Sequence, residues 1–374
     1  MSKLAKSLLK AIDNPFVSMA SEGKSAGSLS TFVDTGSYAL NAVISGSLFG
    51  GIPSNKITMF AGEPSTGKTF FSLSVVKNFL DRNPEALAFY FETEGAISKE
   101  MLEERGIDSS RVVIAEVTTA EEFRNNCVQL IEEYLKTPEK DRAPVLCVLD
   151  SLGMLSTEKE SADAAEGKNT RDMTRAQVLK SAFRTLTLKL SRADIPMIVV
   201  NHVYDAMDAY SPKVVGGGKG SQYAASTIVQ LTKAKAVGSD AGGASADKSR
   251  VGAIISCTAT KSRFTIEMTK VKTLLHHRTG LDPYFGLFEM AREAGLIEKD
   301  GKRFKNNVTG ESLWGKDIVN PKLAHKTFTQ DFLEKLDVWV QANFKYGALG
   351  EDDAEIEPEV DESDDETTED ERGE

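Results

Sequence analysis

The chain has 374 residues, 40% of them hydrophobic, which suits one large domain with a smaller companion or two to three units. Its net charge of −11 sits at one end: residues 351–374 hold 15 acidic residues and one basic, Arg372, whereas the first 350 residues sum to +3. The overall acidity therefore does not exclude a polyanionic partner. Three widely spaced cysteines, Cys127, Cys147 and Cys257, exclude a disulfide framework and a paired-cysteine metal site. The opening, Met1 to Ile12, alternates Lys3, Lys6 and Lys10 with Leu4, Leu8, Leu9 and Ile12 and reads as a short amphipathic helix. Its apolar part is too short for a signal peptide, and no apolar run reaches the roughly 18 residues of a membrane span. A soluble, cytoplasmic protein without a membrane partner is expected. Residues 21–30, rich in Ser and Gly, read as a linker.

From Lys56 onward short apolar strands alternate with helical stretches. Strands are expected at 57–61, 86–91, 112–115, 145–149 and 196–200, with helices around 68–80, 99–105, 120–135 and 174–191. That alternation implies an α/β fold with a mainly parallel twisted sheet covered on both faces. Strands at 228–232, 252–258 and 265–275 follow without recognisable helices and are expected as antiparallel edge additions. A helix restarts over 282–296, a small mixed α/β unit with Trp314 and Trp339 follows at 300–345, and 351–374 is disordered by composition.

Gly62-Glu63-Pro64-Ser65-Thr66-Gly67-Lys68-Thr69 matches G-x-x-x-x-G-K-[ST], with a buried strand delivering it and a helix leaving it. Loop amides and the helix N-terminus then surround phosphates, Lys68 reaches the β/γ-phosphates, and the Thr69 hydroxyl ligates Mg²⁺. Asp150, ending the apolar run Val145 to Leu149, supplies the carboxylate that holds the metal's water shell. The nucleotide set is these eight residues with Phe70 and Asp150, and the metal set Thr69 and Asp150; ATP and Mg²⁺ are the expected cofactors. Hydrolysis needs a carboxylate to orient water, and Glu92 or Glu94 after the second strand could supply it. Asn201-His202 closes a strand at the sheet edge where ligands of open α/β sheets bind. Two long polar stretches stand out, 154–171 with Lys159, Lys168 and Arg171, and 203–222 with Tyr204, Tyr210 and a triple glycine. Loops of this length in a compact domain are functional or disordered.

Taken in order, GEPSTGKT (62–69), FETEGA (91–96), VLDSLG (148–153), IVVNH (198–202), VVGGGKG (214–220) and KSR (261–263) resemble the RecA-type recombinases. DMTRA (172–176) and LDPYFGLFEMA (281–291) sharpen the resemblance to the UvsX recombinases of tailed phages. It implies a RecA-like ATPase core over 35–285, a protomer-packing helix and linker over 1–34, a small C-terminal unit over 286–350 and an acidic tail. By resemblance Glu94 is the water-activating residue, and His202 is a sensor linking γ-phosphate to DNA where bacterial enzymes carry Gln. Lys261 and Arg263, at i and i+2 of a strand, share a face, and by resemblance they match cations that reach the neighbouring protomer's ATP. His277 falls near an adenine-contacting position.

The two long stretches match DNA-binding loops. Arg175, Lys213 and Lys219 are the phosphate candidates and Met173 and Met207 the base wedges, while Gly216, Gly217 and Gly218 let backbone amides approach phosphate. The implied function is ATP-dependent homologous recombination and repair, with helical filaments on single-stranded DNA that pair and exchange strands with homologous duplex and hydrolyse ATP in a DNA-stimulated reaction. The implied partners are both DNA forms, further copies of the chain, a single-strand-binding protein and a recombination mediator. The alternative is a hexameric helicase motor of the same fold, for whose usual collar the roughly 50 residues before the P-loop strand leave little room. A small-molecule kinase would leave the two loops and the basic pair without a role. The acidic tail is either an internal competitor for basic surface or a solubilising end.

Overall fold

The computed structural model describes residues 2–14, 16–23, 27–168, 174–204, 214–234 and 252–347. The tail, Arg171, Met173, Met207, Tyr210 and Lys213 lie outside them. Helix α1 (Lys3–Ala11) is capped by the Ser2 hydroxyl, which accepts from Ala5 N at 3.1 Å, and it leaves Leu4 and Leu8 exposed. Strands β1 (Phe32–Val33) and β2 (Ile52–Pro53) pair antiparallel around the buried helix α2 (Tyr38–Ser45). The segment ahead of β1 is tied to its own core. Ser30 and Ser54 hydroxyls donate to the Asp194 carboxylate at 2.5 and 2.8 Å, and the Arg192 guanidinium lies 3.9 Å from the Phe16 ring centre.

The central elements follow as β3 (Ile57–Gly62), α3 (Lys68–Arg82), β4 (Leu87–Glu92), α4 (Lys99–Glu104), β5 (Val112–Glu116), α5 (Ala120–Lys136), β6 (Val145–Asp150), α6 (Glu158–Ala165), α7 (Arg175–Ala193), β7 (Met197–Tyr204), β8 (Val214–Val215), α8 (Gly218–Ala224), β9 (Thr227–Lys233), β10 (Gly252–Ser262), β11 (Lys270–His276) and β12 (Gly280–Leu281). They form one sheet in the order β12-β11-β10-β9-β3-β7-β6-β4-β5, with β8 hung on β7. From β9 to β5 the pairing is parallel; β10, β11 and β12 add antiparallel. β3 and β6 are buried at every position, as strands covered on both faces require.

Alternation along the strands sorts the core into two layers. Phe60, Tyr90, Leu146, Val148 and Ile198 face α2, α3 and the C-terminal elements. Met59, Phe91, Cys147, Leu149 and Val199 face α5 and α7, where Phe123 meets Phe91 edge-on with ring centres 5.2 Å apart. All three cysteines are free and buried, and burial pushes the Cys257 thiol up to about 12.

Four expectations are corrected. β9 is not an antiparallel edge strand: it pairs in parallel with β3, because the crossover helix α8 starts within the stretch 203–222 and leads into it. The stretch 154–171 is likewise not all loop. Thr157 and Glu160 form a reciprocal capping box that starts α6, a signal present in the sequence as T-x-x-E. The strand expected at 265–275 begins only at Lys270, since Met268 (φ +64°) turns the chain. The helix expected over 282–296 covers only Leu287–Glu293, α9, because the Asp282 carboxylate organises a turn by accepting from Tyr284 N and Phe285 N, each at 2.9 Å.

Beyond α9 the chain forms a three-stranded sheet, β13 (Ile297–Asp300), β14 (Arg303–Asn306) and β15 (Ser312–Leu313), then α10 (Gly315–Ile318), α11 (Ala324–Thr327) and α12 (Gln330–Phe344). Phe332, Leu336 and Val340 of α12 belong to the same apolar cluster as Leu40 and Ile44 of α2. One buried carboxylate fastens this contact: Asp337 accepts from Leu48 N at 2.6 Å and from the Ser47 hydroxyl at 2.9 Å. Asp337→Ala strands both donors and is expected to cost about 3 kcal/mol, whereas Asp337→Asn, which keeps an acceptor, costs less. Denaturant midpoints of the three proteins check this; equal midpoints would mean the carboxylate does not hold the contact.

Candidate active site

The register of the parallel strands aligns the site. Gly62 of β3 stands opposite His202 of β7, and Glu92 of β4 opposite Asp150 of β6. The carboxyl ends of four neighbouring strands thus deliver the P-loop, His202, Asp150 and the Glu92–Glu94 turn to one rim.

Ser65 (φ 59°) and Gly67 (φ +87°) hold the left-handed conformations that curl Gly62 to Thr69 back into α3. A Cβ on Gly62 would stand 2.7 Å from Thr66 Oγ1 and 2.8 Å from the Leu231 carbonyl, so only glycine fits there. Lys68 is buried, its ammonium donating to the Gly62 and Glu63 carbonyls at 3.0 and 2.9 Å. Burial lowers its pKa, opposed by the charges of Asp150 and Glu94. Asp150 is raised, chiefly by burial, while hydrogen bonds from Tyr90 and Thr69 pull it back; the Tyr90 hydroxyl donates to it at 2.7 Å. Glu63, Pro64 and Ser65 are exposed along the outer loop, and Phe70 lies under the Arg105 guanidinium at 4.3 Å.

A glycine-lined loop with a buried ammonium at its floor suits phosphate. Among the described residues no group of three or more His, Cys, Asp or Glu could hold a metal alone. The adjoining Thr69 hydroxyl and Asp150 carboxylate instead suit a small hard cation that keeps most of its waters and shares phosphate oxygens. The residues present therefore fit a Mg²⁺–nucleoside triphosphate.

The two glutamates separate cleanly. Glu92 is buried, and its carboxylate accepts from the backbone N–H groups of Glu94, Gly95 and Ala96 at 3.1, 2.6 and 2.9 Å, so it shapes the turn. Glu94 faces the rim instead. Its Oε1 accepts from the Ser151 hydroxyl at 2.7 Å and stands 3.6 Å from His202 Nε2. β4 ends at Glu92, and the chain then turns through Gly95 (φ +66°) rather than staying extended. Sequence reasoning does not single out Tyr90, Thr93 or Ser151. Thr93 Oγ1 accepts from Ser151 N at 2.8 Å, and the Asp150–Ser151 peptide is cis. The available signal is the strand tyrosine Tyr90, whose hydroxyl needs a partner once buried.

His202 connects this rim to the second long stretch. Its carbonyl accepts from Gly216 N at 2.9 Å, and Asn201 Nδ2 donates to the Gly216 carbonyl at 2.8 Å. The β7–β8 ladder, Val203 opposite Val215 and Tyr204 opposite Val214, closes the base of residues 205–213. Gly216 and Gly217 are close-packing positions: a Cβ there would come within 2.7 Å of the Tyr204 ring and 2.9 Å of Leu152. Gly218 and Lys219 are exposed at the start of α8. Arg175 is already engaged, its guanidinium donating to the Leu155 and Gly153 carbonyls at 2.9 and 2.8 Å, so it braces the turn after β6.

Lys261 and Arg263 are not brought to this rim. Lys261 pairs opposite Ile228 after a bulge in β10, and Arg263 lies just past the strand end. The Lys261 ammonium caps the C-terminus of α8, donating to the Gln222 and Ala225 carbonyls at 2.6 and 2.7 Å. Burial lowers its pKa, and the neighbouring Arg263 charge lowers it further. Arg263 is exposed and its N–H donates to the Ser226 carbonyl, level with Ile57 at the opposite end of β3 from Gly62. Five strand residues, about 17 Å, separate that level from the P-loop of the same chain. His277 follows the end of β11, two residues after Leu275, whose Cδ2 would stand 2.6 Å from a Cβ on Gly67.

A RecA-family ATPase fold is the class that this sheet order, loop and rim define, and comparison with known proteins agrees: the RecA N-terminal domain family matches residues 4–280, and the chain belongs to the RecA family. Among individual relatives, it is 32% identical over 284 residues to the recombination and repair protein of Enterobacteria phage T4, covering 73% of this chain and 68% of that protein. It is 24% identical to the RecA protein of Thermus aquaticus over 73% of this chain and 74% of that one. With the RecA protein of Malacoplasma penetrans it shares 22% identity over 82% and 90%. No helix among the described residues is long and apolar enough to cross a membrane.

Proposed function

We propose that the chain is an ATP-dependent recombination and repair protein that forms helical filaments on single-stranded DNA, pairs it with homologous duplex and exchanges strands, with DNA-stimulated ATP hydrolysis. Bound Mg²⁺·ATP supplies a phosphoanhydride whose transition-state charge the site must stabilise. Lys68 and the loop amides hold the phosphates, and Thr69 and Asp150 hold the cation. Glu94 orients and accepts a proton from the attacking water, with Ser151 fixing its carboxylate. His202 reports the nucleotide state to the ladder that closes residues 205–213, so nucleotide and DNA affinity are coupled by contacts that differ between two states.

Arg263, exposed and remote from its own P-loop, is the cation for a neighbouring protomer's nucleotide. Lys261 joins it there only by leaving the α8 carbonyls. Residues 1–34, 35–285, 286–350 and 351–374 are taken as packing arm, ATPase core, C-terminal unit and tail. A single-strand-binding protein and a loading mediator are the expected partners, in the cytoplasm of a host cell if the chain is phage-encoded.

The observation that carries this reading is the His202 junction: one residue lies 3.6 Å from the Glu94 carboxylate and is bonded through its own carbonyl to the glycine closing the second loop. A small-molecule kinase gives that junction no task, whereas filament and ring are told apart by the assembly formed on DNA. Electron microscopy on single-stranded DNA, with a non-hydrolysable ATP analogue against ADP, tests it. Long regular filaments with the analogue are expected; rings would favour the helicase reading.

A further inference from the structure

Tyr90 of β4 has no exposed surface, the single tyrosine of which this is true among the described residues, and it sits in the apolar cluster of Phe60, Phe71 and Val148. For packing alone a phenylalanine would serve, and a buried hydroxyl is costly unless it is bonded. The strand register shows what this one reaches. Tyr90 stands opposite Val148 of β6, and Asp150, two residues further on, lies on the same face of the sheet. The phenol spans that step and donates to Asp150 Oδ2 at 2.7 Å, the length of a charge-assisted bond. The Tyr90 oxygen also lies 3.4 Å from the Ser72 hydroxyl of α3, which bonds the Thr69 carbonyl at 3.0 Å. One phenol oxygen therefore stands between the carboxylate that ends β6 and the first turn of the helix that carries Lys68 and Thr69.

A carboxylate that holds a cation's water shell works in one orientation, and a partner that fixes it beforehand removes a rotation the cation would otherwise have to freeze. Glu92, directly opposite Asp150 on β4, does not supply that partner, because its carboxylate is spent on its own turn. We propose that Tyr90 is a positioning residue for the divalent cation, acting through the Asp150 carboxylate and setting how strongly Mg²⁺ tightens nucleotide binding. The inference rests on the reading of Thr69 and Asp150 as the cation's holders. It adds to that reading a residue behind the site whose hydroxyl, and not its ring, is what the site uses.

The experiment measures the affinity of the full chain for a fluorescent non-hydrolysable ATP analogue, in saturating Mg²⁺ and in a chelator, and takes the ratio. Mg²⁺ is expected to tighten binding to the wild type. Tyr90→Phe, which keeps the ring and loses the hydroxyl, should reduce that gain about 10- to 100-fold while binding in the chelator stays at the wild-type value. A merely structural role weakens both alike, so equal weakening with and without Mg²⁺ overturns the proposal, as does an undiminished gain. Because Tyr90 acts through Asp150, the same substitution made in an Asp150→Asn protein should cause no further loss; a full additional loss places its action elsewhere and counts against the proposal. A wild type whose affinity for the analogue ignores Mg²⁺ would instead overturn the assignment of Thr69 and Asp150 to the cation.

Discussion

Replacing Glu94 by Gln is expected to lower ATP turnover by about 10²- to 10⁴-fold while nucleotide and DNA binding persist. The amide still accepts the Ser151 hydroxyl's hydrogen bond, which is 2.7 Å long in the native protein, so the rim keeps its shape. What is lost is the exposed carboxylate at this turn that can take a proton, since the Glu92 oxygens are occupied by three backbone N–H groups. Single-turnover hydrolysis measured beside equilibrium binding separates the two effects. Glu92→Gln should behave differently, disturbing the turn and therefore stability as well as rate. Similar losses in both variants, without a stability difference, would mean that the two roles are assigned wrongly.

The second large effect is expected at Lys68. Its ammonium is buried and bonded to the Gly62 and Glu63 carbonyls, so it is already placed at the floor of the loop. Removing one partner of a buried charge pair costs about 2–5 kcal/mol, which predicts that Lys68→Ala binds ATP roughly 30- to several-thousand-fold more weakly. Titration with a fluorescent ATP analogue measures this directly. Because coupling is reciprocal, the same variant should lose the dependence of its DNA affinity on nucleotide. A Lys68→Ala protein whose DNA affinity still responds to the analogue would place the nucleotide elsewhere.

Much of the sheet is legible in the sequence because fully buried parallel strands leave nearly unbroken apolar runs: β3, β4, β6 and β7 lie close to where the runs predict them. The P-loop is legible for a related reason, since glycines, a lysine and a threonine at fixed spacing are demanded by phosphate geometry. Short helices inside polar stretches are not. α6 and α8 carry too few apolar residues to show a period, and without α8 the strand β9 looks like an antiparallel edge strand.

The choice between Glu92 and Glu94 depends on three backbone N–H groups turning inward, which no side-chain pattern reports. Lys261 and Arg263 are instructive in the opposite way. Their spacing suggests a shared strand face, but β10 ends at Ser262, between them, and the carbonyls that Lys261 caps are 36 to 39 residues away in sequence. Arg175 illustrates the same limit: its charge reads as a phosphate contact, and nothing in the sequence reports the two carbonyls that the turn at Gly153 brings to its guanidinium.

The central claim is that nucleotide bound at the β3 rim and DNA held by the loops beyond β7 are read by one device, His202. The measurement that addresses it most directly is electron microscopy of the full chain on single-stranded DNA, with a non-hydrolysable ATP analogue, with ADP, and with His202→Ala in the analogue. Extended filaments with the analogue, shorter or compact ones with ADP, and a His202→Ala protein that binds the analogue yet stays in the ADP-like form are predicted. Filaments of the same form in all three samples would contradict the account.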